Sequence, residues 1–488
     1  MSETEFLDVV IVGAGFGGLC TAIKLREAGY QRFAILEKGH EVGGTWRENT
    51  YPGAACDVQS HLYSYSFEPK SDWSRRYAPW HEIQSYILKV TQKYELRPFI
   101  RFGQEVESAH FEEESGRWRV TTKAGSRISA RFFVLATGPL HVPAFPRFKG
   151  LSEFRGRVFH SAQWDHGFDL TGKRVASIGT GGSAIQYLPV IAPQTARLHV
   201  FQRTPAWVIP RDDRAYSGLE KGLFARVDGM RKLHRTRCYW TNEARILPLS
   251  RPRLARTAET MAKAFMWLQV KDPAIRAKLT PDYTIGCKRV LISNDYYPTF
   301  NRDNVELVTD AIREFTPHGV VTEDGRERAL DAVILGTGFV TDPRTYLRNF
   351  ACTGLAGQDL REAWREGAEA FYGVTVAGYP NMFQLLGPNS TLGHNSVIFM
   401  IEAQVHYALS CMKLVQERGA RALSVRPEAQ QRFNERLQEE LSGTVWNTGC
   451  RSWYQQEGGK NFSLWPHSTA RFWLATRRVR PADYELLG

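Results

Sequence analysis

The sequence predicts a mixed α/β protein built from two similar halves, and three observations lead to this prediction. An apolar, β-rich run, a glycine-rich loop and a helical apolar pattern follow one another at residues 8–29, and the same succession returns at residues 173–186. Residues 213–285 form a basic segment whose apolar residues have helical spacing. The predicted fold class is therefore two dinucleotide-binding (Rossmann-like) domains, discontinuous in sequence, with an inserted helical segment.

Length and charge narrow the classes of protein to be considered. A chain of 488 residues, 43% of them hydrophobic, has enough material for two to four domains with real cores. Its net charge of +12 fits nucleic acid, an anionic membrane surface or a polyanionic cofactor. Because no block of like charge dominates, the sequence favours the cofactor and predicts no nucleic-acid partner.

Apolar runs and cysteines indicate the cellular compartment of the protein. The sequence contains no run of 18 or more apolar residues, so we expect a cytoplasmic protein without stable membrane insertion. The expected assembly is a monomer or small homo-oligomer. No CxxC pair occurs, and the number of cysteines is odd, so reduced thiols are predicted. No metal site is predicted. The seven cysteines are Cys20, Cys56, Cys238, Cys287, Cys352, Cys411 and Cys450.

The first glycine loop has the complete context of a dinucleotide site. Gly13 permits a tight turn, Gly15 lets a pyrophosphate approach the backbone, and Gly18 lets helix and strand pack closely. A second apolar run ends in Glu37, a carboxylate suited to the hydroxyls of a ribose. An ordinary glycine turn is the alternative, and the context favours an adenine dinucleotide.

The next segment indicates which dinucleotide binds. The chain continues into a glycine pair followed by Thr45 and Trp46, an arrangement that resembles flavoproteins with two dinucleotide domains and implies FAD. Gly44, Thr45 and Trp46 are therefore candidate cofactor contacts. The following loop, 47–57, is rich in turn formers and aromatic residues, and it ends in Asp57, a candidate buried charge beside the flavin ring.

The second glycine loop predicts a different cofactor. Gly179, Gly181 and Ser183 follow a strand and open a helix in the pattern GxGxxA. The next strand ends in Arg203 and Thr204, where an NAD site would carry an acidic residue. Because arginine offers forked donors to phosphate oxygens, the sequence predicts NADPH; an exposed arginine beside a turn is the alternative.

The order of these segments gives the domain boundaries. We expect an FAD-binding domain in residues 1–145 and 375–488, an NADPH-binding domain in 146–212 and 286–374, and a helical insertion in 213–285. The insertion is predicted to present a solvated basic face; several breaks argue against a single amphipathic helix on a membrane. A later helix is expected to begin near Ser396, with Asn395 as a possible cap.

Residues 154–165 lie between the two glycine loops and read FxGxxxHxxxWD. His160 and Trp164 alone would most simply be a structural pair. Their position at the crossing between two nucleotide domains makes them candidates for a functional role.

Taken together, these motifs resemble those of the class B flavoprotein monooxygenases, and within them the Baeyer-Villiger monooxygenase family. The resemblance covers nearly the whole chain and rests on both glycine loops, the 154–165 motif, GGxWxxxxYPGxxxD at 43–57, Lys288-Arg289 and the stretch 387–390. Trp164 favours the Baeyer-Villiger branch, since the related N- and S-oxygenating enzymes usually carry Tyr or Phe there.

The resemblance implies an activity and roles for several residues. NADPH would reduce FAD, O2 would add to give a C4a-peroxyflavin, and a ketone would gain one oxygen atom to become an ester or lactone. Arg289 resembles the active-site arginine of the family, Asp57 the carboxylate that holds it, and Lys288 a contact to the NADP phosphate. His160 joins the candidate catalytic residues, with a domain-tying role preferred over that of a general base.

Three other functions stay open from the sequence. The same cofactors could oxygenate sulfur or nitrogen in a small organic substrate. An NADPH-dependent reductase is disfavoured by the absence of CxxC. A non-catalytic FAD-binding or membrane-associated protein is disfavoured by the presence of both glycine loops together with Arg289. The C-terminal stretch 452–461 resembles the mobile tryptophan loop of the family only loosely, and the sequence does not name the substrate.

Overall fold

A computed structural model of the chain describes residues 4–346, 350–456 and 458–488. The predicted domain ranges also include residues 1–3, 347–349 and 457, which lie outside the described residues. The strands are β1 Glu5–Val12, β2 Phe33–Leu36, β3 Ile100–Arg101, β4 Val106–Glu112, β5 Arg117–Thr122, β6 Arg127–Leu135, β7 Arg157–His160, β8 Arg174–Ile178, β9 Arg197–Phe201, β10 Val208–Ile209, β11 Leu291–Ile292, β12 Val305–Val308, β13 Ile312–Thr316, β14 Gly319–Thr322, β15 Glu327–Ala329, β16 Ala332–Leu335, β17 Ala351–Thr353, β18 Met382–Gln384, β19 Ala422–Val425 and β20 Tyr484–Leu487. The α-helices are α1 Phe16–Glu27, α2 Thr45–Glu48, α3 Trp80–Lys93, α4 Ala184–Ile191, α5 Gly218–Arg226, α6 Asp228–Glu243, α7 Ile246–Ser250, α8 Pro252–Gln269, α9 Pro273–Leu279, α10 Tyr296–Thr299, α11 Pro343–Tyr346, α12 Leu360–Ala363, α13 Val397–Glu417, α14 Pro427–Ser442 and α15 Thr469–Thr476.

The first sheet has the strand order β17-β4-β5-β6-β1-β2-β3, with β18 also paired to β6. Strand β1 is parallel to β2 and β6. Val9, Val10 and Ile11 are fully buried, as expected for a continuous apolar run in a strand covered on both faces. Helix α1 packs against α13 on one side of this sheet.

The second sheet has the order β12-β9-β8-β16-β7, and its strands are all parallel. Strand β7 comes from the 154–165 motif and forms one edge of this sheet. In each sheet a strand with parallel neighbours leads into a glycine loop and then a helix, and this confirms the predicted fold class.

The chain returns to the first sheet earlier than residue 375, where the sequence placed the boundary. Strand β17 pairs in parallel with β4, and Cys352, Leu360 and Trp364 pack in the same apolar cluster as Val10. The first domain has already resumed at Ala351, so the predicted boundary at residue 374 is wrong. The three residues of β17 are too few to show a periodic pattern that would have predicted its partner strand.

Helices α5–α9 form the helical segment between β10 and β11. One face of α6 lies on the first domain: Arg235 donates to the carbonyl of His61 over 2.5 Å, and the Asn242 amide donates to Gln59 over 2.5 Å. None of the helices in the described residues is long and apolar enough to cross a membrane.

The prediction of reduced thiols is wrong for one pair of cysteines. Cys287 and Cys450, separated by 163 residues, are joined by a disulfide, while Cys20, Cys56, Cys238, Cys352 and Cys411 are free and buried. Their distance in sequence hid the pairing, because no spacing rule links two single cysteines so far apart.

Candidate active site

The first glycine loop is shaped by contacts that leave no room for a side chain. A Cβ on Gly13, whose φ is +102°, would lie 2.7 Å from the carbonyl oxygen of Ala136, and one on Gly18 only 1.9 Å from that of Gly13. Gly15 directly precedes α1 and faces the Cα of Gly44. The backbone at the start of α1 is thus kept bare, as a pyrophosphate requires.

Glu37 follows β2 and is 4% exposed. Its Oε2 accepts a hydrogen bond from the Ala14 N–H over 2.9 Å, and its Oε1 accepts from Gly39 and from Arg47. This carboxylate is held in place beside the glycine loop, and the remaining lone pair of Oε2 can accept from a ribose hydroxyl. The residues present therefore fit the adenosine part of FAD.

The segment 43–46 lies against the same loop. The Gly43 N–H donates to the Ala14 carbonyl over 3.0 Å, Gly44 has a φ of +53°, and Thr45 begins α2. Trp46 is buried and donates from Nε1 to the Tyr63 hydroxyl over 3.3 Å. These contacts fix the start of the segment that leads from the first glycine loop to Asp57.

Asp57 and Arg289 form an ion pair between segments far apart in sequence. The Arg289 Nε donates to Asp57 Oδ2 over 3.1 Å, and Nη2 donates to the same oxygen. Burial raises the pKa of Asp57, but the charge and hydrogen bonds of Arg289 outweigh it and hold this pKa below its usual value. The charge of Asp57 in turn raises the pKa of Arg289.

The pair is only partly buried. The side chains of Arg289 and Asp57 are 36% and 38% exposed. A cation that is fixed by a carboxylate and partly exposed can act on a molecule bound beside it.

Two neighbours of this pair escaped sequence reasoning. Tyr454 is 1% exposed and lies beside Arg289; burial raises the pKa of its hydroxyl to about 12, although the charge of Arg289 works against this. Arg211 donates to the Cys56 carbonyl over 3.4 Å, and its charge also lowers the pKa of Asp57. Both come from other parts of the chain, and no local pattern marks them.

The second glycine loop repeats the steric pattern of the first. A Cβ on Gly179, whose φ is +105°, would lie 2.4 Å from the Gly336 carbonyl oxygen. A Cβ on Gly181 would meet no described atom within 4 Å, and Ser183 directly precedes α4. The start of α4 is therefore open to a ligand.

Arg203 and Lys288 meet near this second loop. Arg203 is exposed, and burial together with the charge of Arg203 lowers the pKa of Lys288. The position directly after β9, where the first site has Glu37 after β2, holds Gln202. The carbonyl of Thr204 accepts a hydrogen bond from the Thr180 hydroxyl over 3.4 Å. Two neighbouring cations suit a ribose 2'-phosphate.

His160 ends β7 and is fully buried. Its Nδ1 accepts from the Ala162 N–H over 3.0 Å, and burial lowers the pKa of its ring. The ring centroid is 5.3 Å from that of Phe145 and 6.0 Å from that of Phe339. Among the described residues, no hydrogen bond, ion pair or ring contact links His160 to Arg289.

Those two phenylalanines belong to the two segments by which the chain passes between the sheets. The Ala144 N–H donates to the Gly338 carbonyl over 2.9 Å, and the Val340 N–H donates to the Val142 carbonyl over 2.8 Å. The two crossing segments are therefore paired, and His160 packs against both.

Nearby, Trp164 contacts the rings of Phe159 and Tyr187, and Asp165 pairs with Arg157. These contacts lie within the second domain, so they are structural for the 154–165 motif. Gly156 completes it, because a Cβ there would lie 2.5 Å from the Asp331 carbonyl oxygen.

Gln186 in α4 joins the two domains, and sequence reasoning did not single it out. Its Nε2 donates to the Ala55 carbonyl over 2.9 Å, and its Oε1 accepts from the Tyr51 hydroxyl over 2.9 Å. A Cβ on Gly53, whose φ is +80°, would lie 2.6 Å from the Gln186 carbonyl oxygen. The loop that leads to Asp57 is thus fixed to the helix of the second glycine loop.

Helix α13 begins at Val397, close to the predicted position, but Asn395 does not cap it. The Asn395 amide donates to the buried carboxylate of Glu243 in α6 over 2.5 Å, and its Oδ1 accepts from the next residue, Ser396. The amide nitrogen of Asn395 is engaged by Glu243, and its oxygen, the atom that a cap needs, accepts from Ser396 instead of from the first turn of α13. The prediction that Asn395 caps this helix is therefore wrong.

The chain is similar to known proteins over nearly its full length. Residues 10–220 match the family model described as pyridine nucleotide-disulphide oxidoreductase. The chain is 45% identical over 482 residues to a Baeyer-Villiger monooxygenase of Pseudomonas aeruginosa, covering 98% of this chain and 91% of that protein.

Solved structures are similar over nearly the full length. An oxidized steroid monooxygenase bound to NADP has a TM-score of 0.90 and 33% identity, with 99% of each chain covered. OTEMO in complex with FAD and NADP has a TM-score of 0.89 and 28% identity, with 99% of this chain and 100% of that chain covered.

Proposed function

This chain belongs to the Baeyer-Villiger monooxygenase family, and we propose that it uses FAD and NADPH to insert one oxygen atom from O2 into a ketone, giving an ester or lactone. The observation that carries the proposal is the Asp57–Arg289 pair, a cation fixed on one side and open on the other. Its partners are O2 and a small organic ketone, and the proposed assembly is a monomer or small homo-oligomer.

The residues around the first glycine loop would hold FAD. Gly13, Gly15 and Gly18 would leave room for the pyrophosphate, Glu37 would accept from a ribose hydroxyl, and segment 43–46 would contact the part of FAD beyond the ribose. Once reduced by NADPH, bound FAD supplies the activated oxygen. The chain's own contribution is to position the substrate beside this group and to stabilise charge.

Arg289 is the residue that we propose to act on the ketone. When a nucleophile adds to a carbonyl, negative charge develops on the carbonyl oxygen, and a fixed guanidinium lowers the free energy of that state. Asp57 keeps Arg289 in one orientation, so little reorganisation is needed during the reaction.

The second loop would hold NADPH. Gly181 and Ser183, just before α4, would contact the pyrophosphate, and Arg203, Thr204 and Lys288 would contact the 2'-phosphate. We assign His160 to the junction of the two domains, where its loss impairs flavin reduction and coupling more than oxygen transfer.

The test is Arg289→Ala, assayed with a ketone and with a sulfide. We expect ketone oxygenation to fall by about a hundredfold or more, because a preorganised charge is lost. Sulfide oxygenation creates no oxyanion and should fall much less. FAD content and the rate of flavin reduction by NADPH should stay close to those of the wild type.

Arg97→Ala is the matched control, since it removes an exposed arginine that also pairs with a carboxylate, that of Glu41. If Arg289→Ala oxidises ketones within tenfold of the wild type while flavin reduction is normal, the proposed role is wrong. If the wild type oxidises sulfides and no ketone of a broad panel, oxygenation of sulfur or nitrogen replaces the proposed reaction.

A further inference from the structure

Helix α6 and the short α7 after it present an apolar stripe to the outside. Met230, Leu233, Trp240 and Leu247 are 43%, 65%, 59% and 50% exposed. The first three lie in α6, where spacings of three and seven residues place them on one face of the helix, and Leu247 lies in α7. We call these four residues the α6 stripe.

Helix α8 carries a second apolar stripe. Leu254, Met261 and Leu268 follow one another at intervals of seven residues and are 45%, 69% and 87% exposed, and Trp267 beside them is 59% exposed. We call these four residues the α8 stripe. Leu219 and Leu223 in α5 and Val227 just after it add further exposed apolar surface to the same insertion.

The opposite faces of both helices are occupied, so the stripes cannot turn inward. Besides the hydrogen bonds of Arg235 and Asn242 to residues 59–64, α6 places Cys238 in the core. Helix α8 buries Ala255, Ala262 and Met266. Large apolar side chains left outside on such firmly packed helices mark an interaction surface.

The charges around the stripes are almost all positive. Arg226, Arg237, Arg251, Arg253 and Arg256 are exposed, and within the described residues none of them forms an ion pair.

The acidic residues of α6 and α8 are already engaged. Asp228 pairs with Arg231 and Lys232, Glu243 is buried, and Glu259 accepts a hydrogen bond from the Ile285 N–H. No acidic side chain of these two helices is therefore left to neutralise the exposed arginines.

We propose that the outer face of the helical insertion docks on an anionic lipid bilayer surface. Helices with apolar residues and tryptophan on one side and arginines beside them lie in the headgroup region, where each cation gains from the negative surface. A second copy of the chain fits less well, because a symmetric contact would bring like-charged arginines together. The sequence predicts only a solvated basic face for the insertion, whereas the proposal gives this face a partner, the anionic lipid surface.

The experiment measures binding of the FAD-loaded full-length enzyme to vesicles by flotation. Vesicles of equal parts phosphatidylcholine and phosphatidylglycerol should bind the enzyme at least about tenfold more strongly than vesicles of phosphatidylcholine alone, and added salt should weaken binding. The double variants Trp240→Ser/Trp267→Ser and Arg253→Glu/Arg256→Glu should each lower binding about tenfold or more.

Phe6→Ser is the matched control, since it removes an exposed aromatic side chain of the first domain and should leave vesicle binding unchanged. FAD absorbance and NADPH oxidation of each variant report that the fold is intact. Equal binding to both kinds of vesicle, or no binding to either, overturns the proposal. A dimer in sedimentation experiments that both double variants dissociate, without vesicle binding, assigns the face to a second copy instead.

Discussion

Arg203 and Lys288 are two cations close enough for the charge of one to lower the pKa of the other. Bringing them together costs free energy in the absence of an anion, and a 2'-phosphate removes that cost. We therefore expect Arg203→Ala/Lys288→Ala to lower kcat/KM for NADPH about tenfold to a hundredfold while kcat/KM for NADH changes little. Steady-state kinetics with both nucleotides measure this preference.

Arg197→Ala supplies the comparison, because Arg197 is a cation of the same sheet at the opposite end of β9. It should leave the preference for NADPH intact. An equal loss with NADPH and NADH in the Arg203→Ala/Lys288→Ala variant would contradict a phosphate contact.

Residues that belong to a short sequence motif were predictable from sequence. Gly13, Gly18 and Gly179 stand at fixed places in glycine loops that follow an apolar strand, and Glu37 directly follows β2, so pattern and position suffice. Gln186 and Tyr454 could not be found this way. Their partners lie in distant segments, and only the folded chain brings them together.

At the scale of elements, the disulfide between Cys287 and Cys450 ties the C-terminal stretch to the segment that carries Arg289. Tyr454, four positions after Cys450, lies against Arg289 as a result. We expect Cys450→Ser to reduce the free energy of unfolding by about 2–4 kcal/mol, since a long loop is no longer closed. Thermal unfolding, with and without a thiol reductant, measures the change.

The reductant provides an internal control for that experiment. It should destabilise the wild type to the level of Cys450→Ser and leave the variant unaffected, because the five other cysteines are free. A wild type whose unfolding does not respond to complete reduction would show that the bond contributes nothing to stability.

Elements with a long apolar pattern were predicted well, and short or irregular ones were not. Residues 9–12 of β1 and all of β16 are continuous apolar runs directly before a glycine, which is the pattern expected of buried parallel strands. Strand β17 has three residues and pairs with β4, far away in sequence. The capping role expected of Asn395 failed for a similar reason, since Glu243 comes from another helix.

At the scale of the whole molecule, Gln186 is the side chain that holds the second nucleotide loop against the loop before Asp57. Gln186→Ala removes hydrogen bonds to Tyr51 and Ala55 and should loosen the two domains. We expect flavin reduction by NADPH to slow about tenfold, because a bound nicotinamide depends on this alignment. Stopped-flow absorbance and the yield of hydrogen peroxide measure the effect.

FAD content should stay normal in Gln186→Ala, since the residue lies in the other domain. Gln194→Ala, which changes an exposed glutamine just after the same helix, should behave like the wild type. Unchanged reduction and unchanged peroxide yield in Gln186→Ala would mean that other contacts keep the domains aligned.

The pairing of residues 142–144 with 338–340 limits how one domain can move against the other. Hinge residues are commonly a few positions in the segments that connect two domains. We therefore expect any rotation of α4 relative to the loop before Asp57 to take place about this pairing, and such a rotation has to break the Gln186 contact.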